Sequence, residues 1–215
     1  MSVARVPDIS PISLYNPTAR SAVPAELWDG ITDKNLGDWE VEWLPELLNR
    51  LRILHGQGVA RSKWPQSRLW DWRRKLQAIE GLLANQCFSI VCNDMTQAMM
   101  ITDLTHRAKL DAKQAAHLVY VEYLETAPWN RKEIIGQEPR LSGCGSIMVR
   151  AAIELSKEEG FQGRVGLHSL PQANNFYANQ VGMEDLGIDK DYQNLRYFEL
   201  TPEKAEAYIT KGQQP

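Results

Sequence analysis

A short loop containing two glycines runs straight into an amphipathic helix, and its composition suits an anion. The stretch RLSGCGSIM (140–148) places Gly143 and Gly145 ahead of the helical periodicity, with Arg140 in front of them. A helix N-terminus carries unpaired backbone N–H groups and a partial positive charge, and glycine lets a ligand approach that backbone closely. The loop therefore predicts a cradle for a pyrophosphate, to which Arg140 adds a charge and Ser146 a hydroxyl. The alternative is a loop that uses glycine only to turn.

Two common phosphate-binding motifs do not fit this loop. No Gly-Lys-Ser/Thr follows the glycines, which excludes a Walker loop. The sequence GCGSIM lacks the third glycine of the nicotinamide-binding fingerprint, and no predicted strand ends just before it. The ligand therefore has to be inferred from the elements around the loop.

Hydrophobic periodicity predicts these surrounding elements. Helices are predicted at 44–56, 67–83 with Ser67 as a cap, about 146–158, 172–180 and 201–212. Strands are predicted at 87–92, 97–104, 117–125, 164–170 and 194–200. Helices, then antiparallel-looking strands, then alternating strands and helices indicate a mixed α/β or α+β fold around one central sheet.

The N-terminal region differs from the rest of the chain in composition and periodicity. Residues 1–38 contain four prolines and no lasting periodicity, so they predict an irregular extension. Six of the seven tryptophans lie within the first 72 residues, which indicates that much of this region packs and that the extension is packed on the domain. We therefore expect an extension over 1–38 and a single domain over 39–215.

Composition excludes several classes of protein. The 215 residues are 43% hydrophobic and 24% charged, as in an ordinary soluble globular protein, and the net charge of −3 gives no argument for nucleic acid or an anionic membrane. Cys87, Cys92 and Cys144 form no CxxC, so we expect no metal site, no disulfide framework and a cytoplasmic location. No apolar run approaches the about 20 residues that span a bilayer, and the N-terminus lacks the apolar core of a signal peptide.

Two motifs in a fixed order resemble the GNAT superfamily of acyl-CoA-dependent N-acyltransferases. They are R-x-x-G-x-G at 140–145 and A-x-x-F-Y-x-x-x-x-G-M at 173–183, and the resemblance covers roughly residues 85–200. It implies a central, mostly antiparallel sheet with splayed central strands and flanking helices. It also implies acetyl-CoA as the co-substrate, its pyrophosphate held by backbone N–H groups of residues 141–146.

The resemblance also implies contacts to the cofactor along three segments. The acyl carbonyl and the pantetheine arm are expected near Leu124 and Thr126, where the family splays its central strands. The pyrophosphate is expected on Arg140, Leu141, Ser142, Gly143, Cys144, Gly145 and Ser146. Leu170 stands where the family often has asparagine, so that side-chain contact to the cofactor is expected to be either absent or replaced by Ser169 or Asn174.

Amide formation from a thioester needs a proton acceptor for the amine and a proton donor for the thiolate. Tyr177 matches the family tyrosine that protonates the thiolate; its alternative role is a half-buried core aromatic. Glu122 and Glu125 point to opposite faces of one strand, so only one of them can face the substrate as the base. His168 is the runner-up. Cys144 is expected to be a packing residue, since the family transfers the acyl group directly.

The segment 129–139 is longer than the family's usual connection. It is either a solvated excursion or a loop that borders the acceptor pocket, with Trp129 packed and Asn130 offering a polar contact. The sequence as a whole predicts an N-acetyltransferase that moves acetyl from acetyl-CoA to a primary amine, with a homodimer left open. The alternatives are an acyl-CoA hydrolase or decarboxylase on the same fold, and a non-catalytic acyl-CoA-binding module.

Overall fold

The computed structural model describes residues 6–110, 113 and 116–211. The chain divides into two compact units. The first unit comprises Met1–Leu82, Gln86–Met99 and Glu125–Gly145, and the second comprises Leu83–Asn85, Met100–Leu124 and Ser146–Pro215. The single domain expected over 39–215 therefore stays a prediction. No helix of the described residues has both the length and the apolar character needed to cross a bilayer.

Eight strands form one mostly antiparallel sheet, as the resemblance implied. They are β1 (Ile9–Asn16), β2 (Ser21–Trp28), β3 (Asn85–Cys92), β4 (Met95–Asp103), β5 (Val119–Thr126), β6 (Val165–Ser169), β7 (Glu184–Asp189) and β8 (Leu195–Leu200). Their order in the sheet is β1-β2-β3-β4-β5-β6-β8-β7. β5 and β6 pair in parallel, whereas β6 with β8 and β7 with β8 pair antiparallel.

Six α-helices flank the sheet in the part of the chain that the structure describes. They are α1 (Asp33–Asp38), α2 (Leu44–Gly56), α3 (Trp72–Ile79), α4 (Lys132–Ile135), α5 (Cys144–Glu158) and α6 (Pro202–Lys211). Ser67 was predicted to cap the third of these helices, and that prediction is wrong. The cap is Asp71, whose side chain accepts a hydrogen bond from the Arg74 N–H at 3.0 Å.

Within the described residues, the first unit contains a β-hairpin over Ile9–Trp28, so the prediction of an irregular segment over 1–38 is wrong for these residues. β1 and β2 pair antiparallel along their whole length, from Ile9 opposite Trp28 to Asn16 opposite Ser21. Prolines obscured the strand signal, but β1 is an edge strand and tolerates one. Pro24 in β2 lies outside the short pairing with β3, which starts at Glu26.

The second unit contains a strand that the sequence pattern did not reveal. β7 has the sequence EDLGID, in which few residues are apolar, and its register shifts between Asp185 and Ile188. A bulge of this kind interrupts the alternation of side chains on which strand prediction depends. The neighbouring strand β8 ends in buried residues and was predicted.

The parallel pair in the second unit separates part-way along its length. β5 pairs with β6 only from Val119 to Val121, opposite Val165 to Leu167. Both strands continue beyond this point, β5 to Thr126 and β6 to Ser169. These are the splayed central strands that the resemblance implied.

Candidate functional site

The predicted cradle lies at the start of α5. The helix begins at Cys144, and Gly143 just ahead of it has φ +102°, a conformation that side chains with a Cβ rarely adopt. By helix geometry, the N–H groups of residues 143–146 lack acceptors within the helix. Cys144 is 3% exposed, and burial raises the pKa of its thiol to about 12, which fits a packing residue rather than a nucleophile.

The amides ahead of Gly143 are already used within the first unit. The Arg140 N–H donates to the Trp129 carbonyl at 3.1 Å, and the Leu141 N–H donates to Asn130 Oδ1 at 2.9 Å. The Ser142 N–H donates to the Tyr15 carbonyl at 2.8 Å. The prediction that the amides of Leu141 and Ser142 hold a pyrophosphate is therefore corrected, and the donor set narrows to residues 143–146.

Arg140 keeps an exposed side chain beside this loop. Its guanidinium carbon lies 5.2 Å from the centroid of the Trp129 ring, a cation–π arrangement. Trp129 is 6% exposed, as predicted for a packed residue. Asn130 was predicted to offer a polar contact to an acceptor, but its amide is bonded within the first unit to Leu141 and Gln97. That the 129–139 segment borders the acceptor pocket stays a prediction.

The separated end of β5 carries the predicted carbonyl and base residues. Glu122, Leu124 and Thr126 are half-buried and, by strand alternation, share one face. They lie beyond the last residue pair between β5 and β6. Burial raises the pKa of the neighbouring Tyr123 hydroxyl, and the charge of Glu122 adds to that effect.

Glu125 occupies the opposite, buried face of β5 and is fully engaged. Its side chain accepts a hydrogen bond from Trp72 Nε1 at 2.8 Å and forms an ion pair with Arg131 at 3.2 Å. Arg131 in turn donates to Ser67 Oγ at 2.8 Å. Because Trp72 and Arg131 already engage the carboxylate of Glu125, this arrangement favours Glu122 over Glu125 as the base.

Tyr177 lies in a π-helical turn of the second unit, Phe176–Val181. Its backbone carbonyl accepts hydrogen bonds from the N–H groups of Gly182 and Met183, at 3.1 and 3.0 Å. The side chain is 6% exposed, and burial raises the pKa of the phenol well above its ordinary value. The hydroxyl therefore stays protonated at neutral pH, as a proton donor must.

Asn174, two residues ahead of this π-helical turn, has a side-chain acceptor without a donor. Its Oδ1 is buried and has no hydrogen-bond partner among the described residues. Ser169, the other predicted substitute for the family asparagine, donates its hydroxyl to the Leu170 carbonyl at 2.9 Å. A buried acceptor of this kind needs a donor, and a ligand N–H is one that would satisfy it.

His168, the runner-up for the base, is enclosed in a polar cluster of the second unit. Tyr120 OH lies 2.7 Å from its Nδ1, and Asp189 Oδ2 lies 3.1 Å from its Nε2. The Tyr192 ring stacks on the imidazole at a centroid distance of 3.9 Å. Because an ionised Asp189 only accepts, Nε2 carries the proton and Nδ1 accepts from the Tyr120 hydroxyl. Both ring nitrogens are therefore occupied, which favours a structural role.

This cluster predicts a loss of stability in mild acid. Burial, with Lys109 and His106 nearby, lowers the pKa of His168 in spite of Asp189. A lowered folded-state pKa favours the neutral ring, so stability is complete above the unfolded pKa of about 6.5 and declines as the pH falls through the folded pKa. The melting temperature should drop between pH 7 and pH 5, by about 2–4 °C for each kcal/mol lost.

The measurement is a thermal melt at several pH values for the wild type and for His168→Gln. The variant lacks the titrating ring, so its melting temperature should change less across this interval. Asp189 does not confound the comparison, because Lys109 and His168 lower the pKa of its carboxyl to about 2 in the wild type, and even the ordinary value of 3.8 lies below this interval. Equal slopes for the two proteins would contradict the assignment to His168.

No family model and no curated protein matches the chain. A candidate arylalkylamine N-acetyltransferase 7 from the yellow fever mosquito is 13% identical, covers 92% of this chain and 97% of that chain, and has a TM-score of 0.51. A candidate acetyltransferase is 11% identical over 87% of this chain and 88% of that one, with a TM-score of 0.50. An uncharacterised protein from Bacillus halodurans is 10% identical over 94% and 95%, with a TM-score of 0.55.

These likenesses are structural, because the sequence identities are low. The chain has a GNAT-like fold, with an eight-stranded, mostly antiparallel sheet flanked by helices. The resemblance inferred from the two sequence motifs is thus confirmed at the level of the fold. In the described parts of the chain, no group of three or more His, Cys, Asp and Glu side chains is placed to hold a metal ion.

Proposed function

We propose that this protein is an N-acetyltransferase that moves an acetyl group directly from acetyl-CoA to a primary amine. The observation that carries the proposal is the separation of β5 from β6 after Val121 and Leu167. Beyond it, Glu122–Thr126 continue as a strand past the last residue pair with β6. A strand edge offers alternating N–H and C=O groups, and the amides of a pantetheine arm are suited to pair with it.

The start of α5 supplies the second part of the proposal. The N–H groups of residues 143–146 and the partial positive charge of the helix N-terminus would hold the pyrophosphate of coenzyme A. Gly143 and Gly145 keep side chains away from that backbone, and the exposed guanidinium of Arg140 adds positive charge. The buried Oδ1 of Asn174 supports the same ligand, since the pantetheine arm carries amide N–H donors.

In the proposed reaction the acceptor, in its protonated ammonium form, first loses a proton to Glu122, and the resulting neutral amine then attacks the carbonyl carbon of the thioester. As the C–N bond forms, the thioester carbonyl becomes a tetrahedral oxyanion, which backbone N–H groups of β5 would stabilise. The C–S bond then breaks, the departing thiolate takes the proton of the Tyr177 hydroxyl, and the newly bonded nitrogen gives up its extra proton to the Tyr177 oxygen. The products are the N-acetylated amine and free coenzyme A.

A cytoplasmic location is part of the same proposal. Coenzyme A is held inside the cell, and Cys92 and Cys144 are buried free thiols. Free thiols are usual in a reducing compartment.

The test is calorimetric titration of coenzyme A into the wild type, Gly143→Asp and Gly143→Asn. Both variants strain the backbone equally at φ +102°, but only aspartate brings a negative charge to the cradle. We expect the wild type to bind, and the aspartate variant to lose at least about 100-fold in affinity relative to the asparagine variant, which is about 3 kcal/mol.

Each outcome bears on a different part of the proposal. Equal affinities of the two variants for coenzyme A would show that the pyrophosphate does not bind at the start of α5. Binding without acetylation of any amine would favour the non-catalytic acyl-CoA-binding module. Release of free acid or of carbon dioxide in place of an acetylated amine would favour a hydrolase or decarboxylase.

A further inference from the structure

The loop between β5 and α5 is closed on itself just ahead of the helix. Asn130 Oδ1 accepts the Leu141 N–H at 2.9 Å, and the Trp129 carbonyl accepts the Arg140 N–H at 3.1 Å. The intervening segment 131–139 therefore leaves and returns at one place. Because these two hydrogen bonds join the ends of the segment, its length and conformation do not affect the position of the start of α5.

Gln97 in β4 sets the orientation of Asn130. Gln97 Oε1 accepts from Asn130 Nδ2 at 2.9 Å and from Trp129 Nε1 at 3.0 Å. Its own Nε2 donates to the Met95 carbonyl at 3.1 Å. Turning either amide over would place a donor against a donor or an oxygen against an oxygen. With Nδ2 of Asn130 held in this way, Oδ1 must face Leu141.

The loop is also held on the side of β1. Ser142 and Tyr15 exchange two backbone hydrogen bonds, at 2.8 and 3.0 Å. Residues 140–142 are thus fixed by three separate acceptors, and the first N–H that remains for a ligand is that of Gly143. The direction of the first turn of α5 follows from where Leu141 and Ser142 are held.

We propose that Asn130, oriented by Gln97, is a positioning residue for the pyrophosphate of coenzyme A. This inference rests on the proposed function. Asn130 does not touch the ligand in this role. It holds Leu141 so that the N–H groups of residues 143–146 converge on one anion, and Gln97 holds Asn130. Misalignment of such donors by about 1 Å is enough to cost on the order of 100-fold in a preorganised site.

The experiment compares two probes on the wild type, Asn130→Ala and Gln97→Met. The probes are coenzyme A, which has the pyrophosphate, and pantetheine, which lacks it. Titration should show that Asn130→Ala lowers the affinity for coenzyme A by about 10- to 100-fold. The affinity for pantetheine should stay within about two-fold of the wild-type value. Gln97→Met keeps the side-chain volume and should cause a smaller loss with the same selectivity.

A matched control lies in the same loop. Lys132 forms an exposed ion pair with Glu138 at 2.9 Å, with side chains 69% and 67% exposed. Lys132→Ala should leave the affinities for both probes unchanged. The double variant Asn130→Ala with Gln97→Met should lose little more than Asn130→Ala alone, because both residues act through Leu141.

The outcomes are distinguishable. No binding of coenzyme A by the wild type would overturn the proposed function and the positioning role with it. If the wild type binds and the folded Asn130→Ala and Gln97→Met variants bind equally well, only the positioning role is overturned. Equal losses for coenzyme A and pantetheine would show a general effect on structure and would also overturn it. Should Asn130→Ala fail to fold, Gln97→Met alone decides by the same comparison.

Discussion

Replacing Glu125 by alanine is expected to lower the free energy of unfolding by about 3–5 kcal/mol. The carboxylate is the partner of Arg131, and their side chains are only 4% and 12% exposed. Removing one member of a buried ion pair leaves the other charge buried without compensation. Trp72 Nε1, whose side chain is fully buried, also loses its acceptor. Urea unfolding followed by circular dichroism measures the change.

Two controls isolate the cause. Glu138→Ala removes a carboxylate from an exposed ion pair with Lys132, and its stability should stay within about 0.5 kcal/mol of the wild type. The double variant Glu125→Leu with Arg131→Met replaces the buried pair by apolar groups and should recover most of the loss. A Glu125→Ala variant with wild-type stability would return Glu125 to the candidates for the base.

The second large effect is expected on catalysis. Tyr177→Phe keeps the ring and removes only the hydroxyl, so turnover with acetyl-CoA should fall by on the order of 100-fold or more. A tyrosine phenol of ordinary pKa is protonated at neutral pH, and burial raises the pKa of Tyr177 further, so the hydroxyl carries its proton when the thiolate departs. The affinity for acetyl-CoA should barely change, because the hydroxyl acts when the C–S bond breaks. Release of coenzyme A thiol, measured with a panel of primary amines, gives the rate.

A second buried tyrosine provides the matched control. Tyr197 on β8 is 4% exposed, and its hydroxyl donates to Glu199 at 3.1 Å. Tyr197→Phe should lower stability by about 1 kcal/mol and leave turnover close to that of the wild type. If Tyr177→Phe also keeps wild-type turnover, Tyr177 is a core aromatic and another group must protonate the thiolate.

Local patterns in the sequence determined much of the fold. The start of α5 was placed within two residues, because its apolar periodicity and the two glycines ahead of it are short-range signals. β5 and β6 were recognised for the same reason, since each is a short run of apolar and β-branched residues. The order of these elements with the F-Y motif then indicated the GNAT-like fold.

The hairpin of β1 and β2 could not be predicted from local sequence patterns. Its prolines are tolerated only because of where the pairing with neighbouring strands begins and ends. β7 was missed for a related reason, because its bulge breaks the alternation of side chains. In both cases the partner strand decides the conformation, and a single segment carries little of that information.

The properties of the candidate site divide in the same way. The sequence by itself determined that a bare backbone precedes α5 and that two glutamates on β5 face opposite sides. Only the tertiary structure decided which amides remain for a ligand. The N–H of Leu141 donates to Asn130, eleven residues away, and the N–H of Ser142 donates to Tyr15 near the N-terminus. Folding also brings Trp72 and Arg131 to Glu125, and these contacts support the proposal of Glu122 as the base. Hydrogen-bonding capacity is a property of each residue, whereas the partner that uses it depends on long-range packing.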